Sequence, residues 1–182
     1  LGTAVHADCT VTFIGRKQGL YTGAAAACCG DIVFADLDVP AADEDAVPAD
    51  AVLLEAGIVP ALLRPRSRVA HKGHAGHVLV IGGDLGYSGA ARMAAEAAAR
   101  VGAGLVSIAT HPDNAQSINI ARPELMVRGV ETPAALDPLL QAASVIAIGP
   151  GLGRRDWGRK LLRHALRGDL PAVVDADALN II

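Results

Sequence analysis

The stretch that decides the fold is HVLVIGGDLGYSGAARMAAEAAARVGAGLVSIAT, residues 77–110. It opens on Val78 to Ile81, a short β-branched apolar run that reads as a buried strand. A glycine-rich loop follows, Gly82-Gly83-Asp84-Leu85-Gly86-Tyr87-Ser88-Gly89. Gly89 to Val101 then reads as a helix, because Arg92, Glu96 and Arg100 recur at i, i+4 and i+8 as one solvated stripe. The rest of that helix is mostly alanine, which lets it lie close to a sheet. Gly104 to Thr110 is a second apolar strand.

The same alternation continues downstream. A weaker helix is expected near 113–120, a third strand at Ser144 to Ile148, and a helix over about 154–167. That helix places Trp157, Leu161, Leu162, Ala165 and Leu166 on one buried face. Ala172 to Val174 makes a fourth strand. Strands that are apolar throughout and alternate with helices predict an α/β fold, a parallel sheet flanked by helices on both faces.

Upstream the pattern is thinner. Residues 9–15 and 31–37 read as two strands with a small-residue connection between them. Residues 38–50 are acid-rich, contain two prolines and carry no base, which marks a linker or surface loop. The expected organisation is therefore 1–40, a linker over 41–69, and a second domain over 70–182.

Composition narrows the function classes. The chain has 182 residues, a net charge of -3 and five aromatic residues, which argues against a polycationic nucleic-acid binder or a base-stacking surface. No apolar run approaches the ~20 residues of a membrane-spanning helix. About a fifth of the chain is alanine. Cys9, Cys28 and Cys29 show neither CxxC nor zinc spacing, so they read as reduced thiols. His71, His74 and His77 recur every third residue, but Gly73 and Gly76 interrupt a helix and no acid completes a zinc set. They read as loop histidines.

In open parallel sheets, ligands sit beyond the carboxyl ends of the strands. Three such ends carry unusual loops here. The Gly82–Gly89 loop leads into a helix N-terminus suited to phosphate, or forms a tight turn packed on alanine. It fails the dinucleotide fingerprint, because positions 84 and 87 are Asp and Tyr, and it lacks the P-loop lysine. The second loop is Gly149-Pro150-Gly151-Leu152-Gly153, a ligand-facing wall or a plain turn. The third is Asp175-Ala176-Asp177-Ala178-Leu179-Asn180, whose carboxylates could hold Mg²⁺, orient a ligand or cap a helix.

Taken together, HKGHAGHVLVIGGDLGYSGAARMAAEAAARVGAGLVSIAT, PELMV at 123–127, AIGPGLG at 147–153 and AVVDADALN at 172–180 resemble the ADP/ATP-dependent NAD(P)H-hydrate dehydratases of the ribokinase-like superfamily. The upstream VHADCTVTFIGRKQGLYTGAAAACCGDIVFADLDVP resembles the end of a Rossmann-like NAD(P)H-hydrate epimerase domain. The two in this order resemble bifunctional NAD(P)H-hydrate repair enzymes. The resemblance implies ADP/ATP-dependent dehydration of the S hydrate of NADH or NADPH, with epimerisation of the R and S hydrates by the upstream domain. It implies Mg²⁺ with the nucleotide, K⁺ in the epimerase domain, a cytoplasmic homo-oligomer, and no nucleic-acid or membrane partner.

Carried over residue by residue, substrate contacts fall on Ala90 and Gly151 first, then Gly83, Tyr87, Gly89, Gly149, Gly153, Asp175, Asp177 and Asn180. Asp84 stands where many members have a small polar residue. The family's later HPGE and GTGD motifs would fall beyond Ile182, and the epimerase's NNGGDG motif before Leu1. No catalytic residue is therefore assigned, the chain is expected to be a piece of a longer protein, and it is expected to be inactive alone. The alternatives are another ribokinase-like small-molecule kinase and a noncatalytic nucleotide-binding remnant. A nicotinamide-dependent dehydrogenase is disfavoured by the mismatched fingerprint.

Overall fold

Parallel strands dominate the computed structural model, which describes residues 3–40, 50–63 and 65–182. Part of the acidic linker expected over 41–69, namely 41–49 and residue 64, lies outside the described residues. The chain divides into two compact units, Leu1–Pro65 and Arg66–Ile182.

The first unit holds β1 (Cys9–Phe13) and β2 (Asp31–Ala35), paired in parallel with Cys9 opposite Asp31 and Phe13 opposite Ala35. Two 3₁₀ segments, Gln18–Leu20 and Gly23–Cys28, make the connection. Val11, Phe13, Val33 and Phe34 of this pair stay substantially exposed, so two strands alone bury little. One helical turn, α1 (Val59–Leu62), starts with Pro60 in its first turn, where a missing N–H costs nothing. Cys9, Cys28 and Cys29 are free thiols, with only Cys29 buried.

The second unit is a five-stranded parallel sheet of β3 (His77–Ile81), β4 (Leu105–Thr110), β5 (Met126–Gly129), β6 (Val145–Ile148) and β7 (Ala172–Val174), in the order β5-β4-β3-β6-β7. The helices are α2 (Ser88–Val101), α3 (Ala115–Ala121), α4 (Asp137–Ala142), α5 (Asp156–Ala165) and the single turn α6 (Ala176–Leu179). Side chains of a strand alternate between faces, and β3 shows both destinations. Leu79 and Ile81 join Ile146, Ile148, Leu161, Leu162 and Ala165, packing one face against α5. Val80 joins Val106, Ile108, Ala91 and Ala95, packing the other against α2. Burying leucines such as Leu79 or Leu161 contributes about 2 kcal/mol each. Alanine on the inner side of α2 lets that helix approach the sheet closely, and Gly102, with φ 113°, ends it by accepting the left-handed turn.

Three sequence readings change. The four-strand expectation missed β5, a four-residue strand at the sheet edge. Leu166 is not part of the buried helical face, because α5 stops at Ala165 and Leu166 is 39% exposed. His77 opens β3 instead of lying in a loop. Its Nε2 sits 2.8 Å from Ser107 Oγ and its Nδ1 3.0 Å from the Ala142 carbonyl, which fastens the start of β3 to β4 and α4. Among the described residues no helix is long and apolar enough to cross a membrane.

Candidate functional site

The strand order locates the crevice. From β3 the chain moves outward to β4 and β5, then returns to the other side of β3 as β6 and continues to β7. The direction of winding reverses between β3 and β6, and the loops leaving their carboxyl ends part at that point. Those are the Gly82–Ser88 and Gly149–Gly153 loops.

The two loops are laced together by main chain. Gly83 N–H donates to the Pro150 carbonyl (3.0 Å) and Asp84 N–H to the Gly151 carbonyl (2.8 Å). Gly149 N–H in turn donates to the Ile81 carbonyl (3.1 Å). This lacing requires glycine at Gly82, where a Cβ would collide with the Pro150 carbonyl, and at Gly151, which combines φ 58° with a Cβ position 2.6 Å from the Tyr87 carbonyl. Gly82, Gly83 and Gly149 are buried. They form a floor.

Above that floor lies a different environment. Tyr87 is 56% exposed, Gly89 is exposed and Ala90 is half-buried at the start of α2. Nothing stands within 4 Å of a Cβ placed at Gly86 or Gly89. The half-buried Gly151 borders the same rim, with its Cβ position 3.1 Å from the Ala90 methyl. Of the residues singled out in sequence, Tyr87, Gly89, Ala90 and Gly151 thus meet at one accessible edge, while Gly83 and Gly149 lie beneath it.

The third loop joins through one carboxylate. Asp177 Oδ2 accepts the Gly153 N–H at 3.0 Å, tying the end of β7 to the end of β6. Asp175 precedes α6 and makes no capping hydrogen bond through its side chain, while its N–H donates to the Ile148 carbonyl (2.9 Å). Asp175 and Asn180 are exposed.

Residues to which the sequence reading gave no role in the site hold the floor in place. The Gly83 carbonyl accepts from the buried Thr110 hydroxyl (2.7 Å), from Asn114 Nδ2 (2.9 Å) and from the His111 N–H (3.2 Å). Asn114 Nδ2 also reaches the Asp84 carbonyl at 3.0 Å. Asp84 is only 2% exposed and its Oδ2 accepts Arg155 Nε at 2.9 Å. The one signal available was positional: Thr110, Asn114 and Arg155 all lie at or just after the carboxyl end of a strand.

No cluster of three or more His, Cys, Asp or Glu suited to a metal occurs among the described residues. The Asp177 carboxylate is engaged with main chain, and His71 and His74 stack on each other at 3.7 Å.

Comparison with known sequences settles the family. The profile described as NAD(P)H-hydrate dehydratase matches residues 78–182. The chain belongs to this family. It is 54% identical over 182 residues to a bifunctional NAD(P)H-hydrate repair enzyme of Coxiella burnetii, covering 100% of this chain and 37% of the relative. It is 41% identical over 184 residues to the enzyme of that name from Escherichia coli, covering 100% of this chain and 35% of the relative. The chain therefore spans little more than a third of the curated relatives it matches. Among solved structures, a ribokinase-like superfamily protein from Enterococcus faecalis aligns with TM-score 0.65 at 31% identity, over 70% of this chain and 46% of that one. An ADP/ATP-dependent NAD(P)H-hydrate dehydratase from Bacillus subtilis, co-crystallised with ATP and Mg²⁺, aligns with TM-score 0.56 at 33% identity, over 63% of this chain and 42% of that one. The matched residues, 78–182, lie within the Arg66–Ile182 unit.

Proposed function

We propose that the protein containing this chain converts the S hydrate of NADH or NADPH back to the intact nucleotide, using ADP or ATP. The Arg66–Ile182 unit supplies the first half of the dehydratase domain and the substrate-facing wall of its site. The observation that carries the reading is the laced floor of glycine loops at the β3–β6 crevice, with Tyr87, Gly89, Ala90 and Gly151 on its accessible rim. A side-chain-poor surface leaves room for a hydrated nicotinamide ring, and the N-terminus of α2 adds free N–H groups and a positive dipole end.

The chemistry follows from leaving-group ability. Hydroxide leaves poorly and phosphate leaves better. The terminal phosphoryl group passes from the nucleotide to the ring hydroxyl: a new O–P bond forms as the hydroxyl gives up its proton, and the bond to the nucleotide's bridging oxygen breaks, releasing the nucleotide one phosphate shorter. The ring C–O bond then breaks, phosphate departs and the neighbouring carbon loses a proton, which restores the double bond. The protein's part is to align the two substrates and offset developing charge.

Within this chain, Tyr87, Gly89, Ala90 and Gly151 are assigned direct substrate contact. Gly83, Gly149 and Gly153 shape the wall, and Asp175, Asp177 and Asn180 border it at the end of β7. No catalytic acid or base is assigned. Mg²⁺ belongs with the nucleotide, whose remaining contacts are assigned to other parts of the protein, so no step is routed through these residues to the metal. The preceding segment, residues 1–40, belongs to an epimerase domain that interconverts the R and S hydrates and uses K⁺, whose ligands are assigned outside this chain. The division between Pro65 and Arg66 supports a boundary inside 41–69. Homo-oligomeric assembly and a cytoplasmic location complete the reading.

The test follows recovery of NADPH absorbance from purified hydrate with ADP or ATP and Mg²⁺. The parent-length protein should turn the hydrate over and the 182-residue chain alone should not. Failure of the parent-length protein, or accumulation of a stable phosphorylated product, overturns the proposal, the latter in favour of a simple kinase.

A further inference from the structure

Asp84 is the most fully engaged residue of the site, although the resemblance set it aside as a departure. Its N–H donates to the Gly151 carbonyl, and its own carbonyl accepts the Tyr87 N–H (2.8 Å) and Asn114 Nδ2. Its Oδ1 accepts the Leu85 N–H at 2.8 Å, and its Oδ2 accepts Arg155 Nε at 2.9 Å. Arg155 lies just ahead of α5, and its Nη2 also reaches the Leu85 carbonyl at 3.3 Å. A single arginine from the β6 side thus grips both the buried carboxylate and the main chain at the start of the rim. Leu85, Gly86 and Tyr87 project beyond this grip and are exposed.

An ion pair with one buried member is weak evidence for stability, because desolvation offsets much of the attraction. Its geometry is informative for another reason. The pair spans 71 residues of sequence and joins the two loops that border the crevice. Both Asp84 oxygens are satisfied within the protein, so the carboxylate is not left to act on a substrate.

We infer that Asp84 and Arg155 are a positioning pair that fixes the Leu85–Gly86–Tyr87 tip over the crevice and thereby sets how tightly the nicotinamide nucleotide seats. Neither residue touches the substrate. The inference rests on the crevice being the substrate site, as proposed above.

The experiment uses the parent-length protein with R155A, R155K, D84N and the D84N/R155A double variant. Chymotrypsin cleavage after Leu85 or Tyr87 reports tip order without any substrate, and KM and kcat for NADPH hydrate report seating. R155A should be cut at the tip about tenfold faster and show KM raised about tenfold, with kcat within about twofold. R155K should fall between R155A and the parent. The double variant should be about as impaired as R155A and not additively worse, because the clasp is already lost in the single variant. Should R155A fail to fold, R155K carries the same comparison, since position 155 is 59% exposed and the charge is kept. Unchanged cleavage and KM in R155A and R155K, a loss confined to kcat, or a double variant as impaired as the summed singles would each overturn the inference. Absent turnover in the parent protein would instead count against the dehydratase reading, while the cleavage arm still decides whether the pair holds the tip.

Discussion

The floor and the rim of the crevice both use glycine, and they use it for opposite reasons. At Gly82 and Gly149 the missing side chain makes room for the protein's own main chain: the Pro150 carbonyl in one case, the Asp175 backbone in the other. At Gly86 and Gly89 nothing in the protein occupies the space. A glycine-rich loop is thus two devices in one stretch. One part fuses neighbouring strand ends, and the other leaves open surface. The hydrogen bonds agree, since Gly83 and Asp84 are tied to Pro150, Gly151, Thr110 and Asn114, whereas the rim has far fewer ties.

The sharpest way to break this comparison is G82A. A methyl group there meets backbone that cannot turn away, so stability should fall by about 3 kcal/mol. Urea unfolding should report it, and a loss below about 1 kcal/mol would show that the floor is softer than described. T110V comes next. It removes one of three donors to the Gly83 carbonyl at a fully buried position, and should cost about 1 kcal/mol in the same measurement. G89A should act in the opposite direction. Alanine suits the first turn of α2 and has open space, so stability should rise by about 0.5 kcal/mol while the KM for NADPH hydrate increases. A variant that is more stable and binds substrate less well is the signature of a rim glycine.

The smallest effect lies outside both regions and serves as a control. Arg92 donates to Glu96 at 2.7 Å and Arg122 lies 3.5 Å away, and together they hold the Glu96 carboxyl below its usual range. A carboxylate depressed in the folded state adds stability above its unfolded pKa and loses it as pH falls through the folded one. E96Q should therefore flatten the acid side of the stability profile slightly and leave KM unchanged. Thermal unfolding across the acid range checks this.

Much of the second unit was legible in sequence because its strands are continuous apolar runs. VLVI, LVSIAT and VIAI cannot be solvated on either face, which forces a covered parallel sheet. β5 was not legible for the converse reason. It is four residues long at an edge, and Met126 and Arg128 both face outward, so no apolar run announces it. The loops were visible as glycine clusters, but the role of each glycine depends on which neighbour approaches it, and that is a tertiary fact. The Asp84–Arg155 pair was hidden for the same reason, since nothing in either local sequence names a partner 71 residues away. Asp177 shows the same limit: its Oδ2 accepts the N–H of Gly153, a partner 24 residues away that no local signal names.

That 71-residue separation also bears on the order in which the site can form during synthesis. The Thr110–Gly83 bond spans only 27 residues, so the β3–β4 half of the crevice can close while later strands are still being made. The clasp from Arg155 must wait until β6 has crossed back and docked beside β3, because long-range loop closure is slow and earns no contacts until it is complete. The nascent protein therefore passes through a stage in which the glycine loop is tied to Thr110 but not yet to the Gly149–Gly153 loop or to Arg155. Until β6 docks, the β3 edge that it will cover stays open to wrong strand partners.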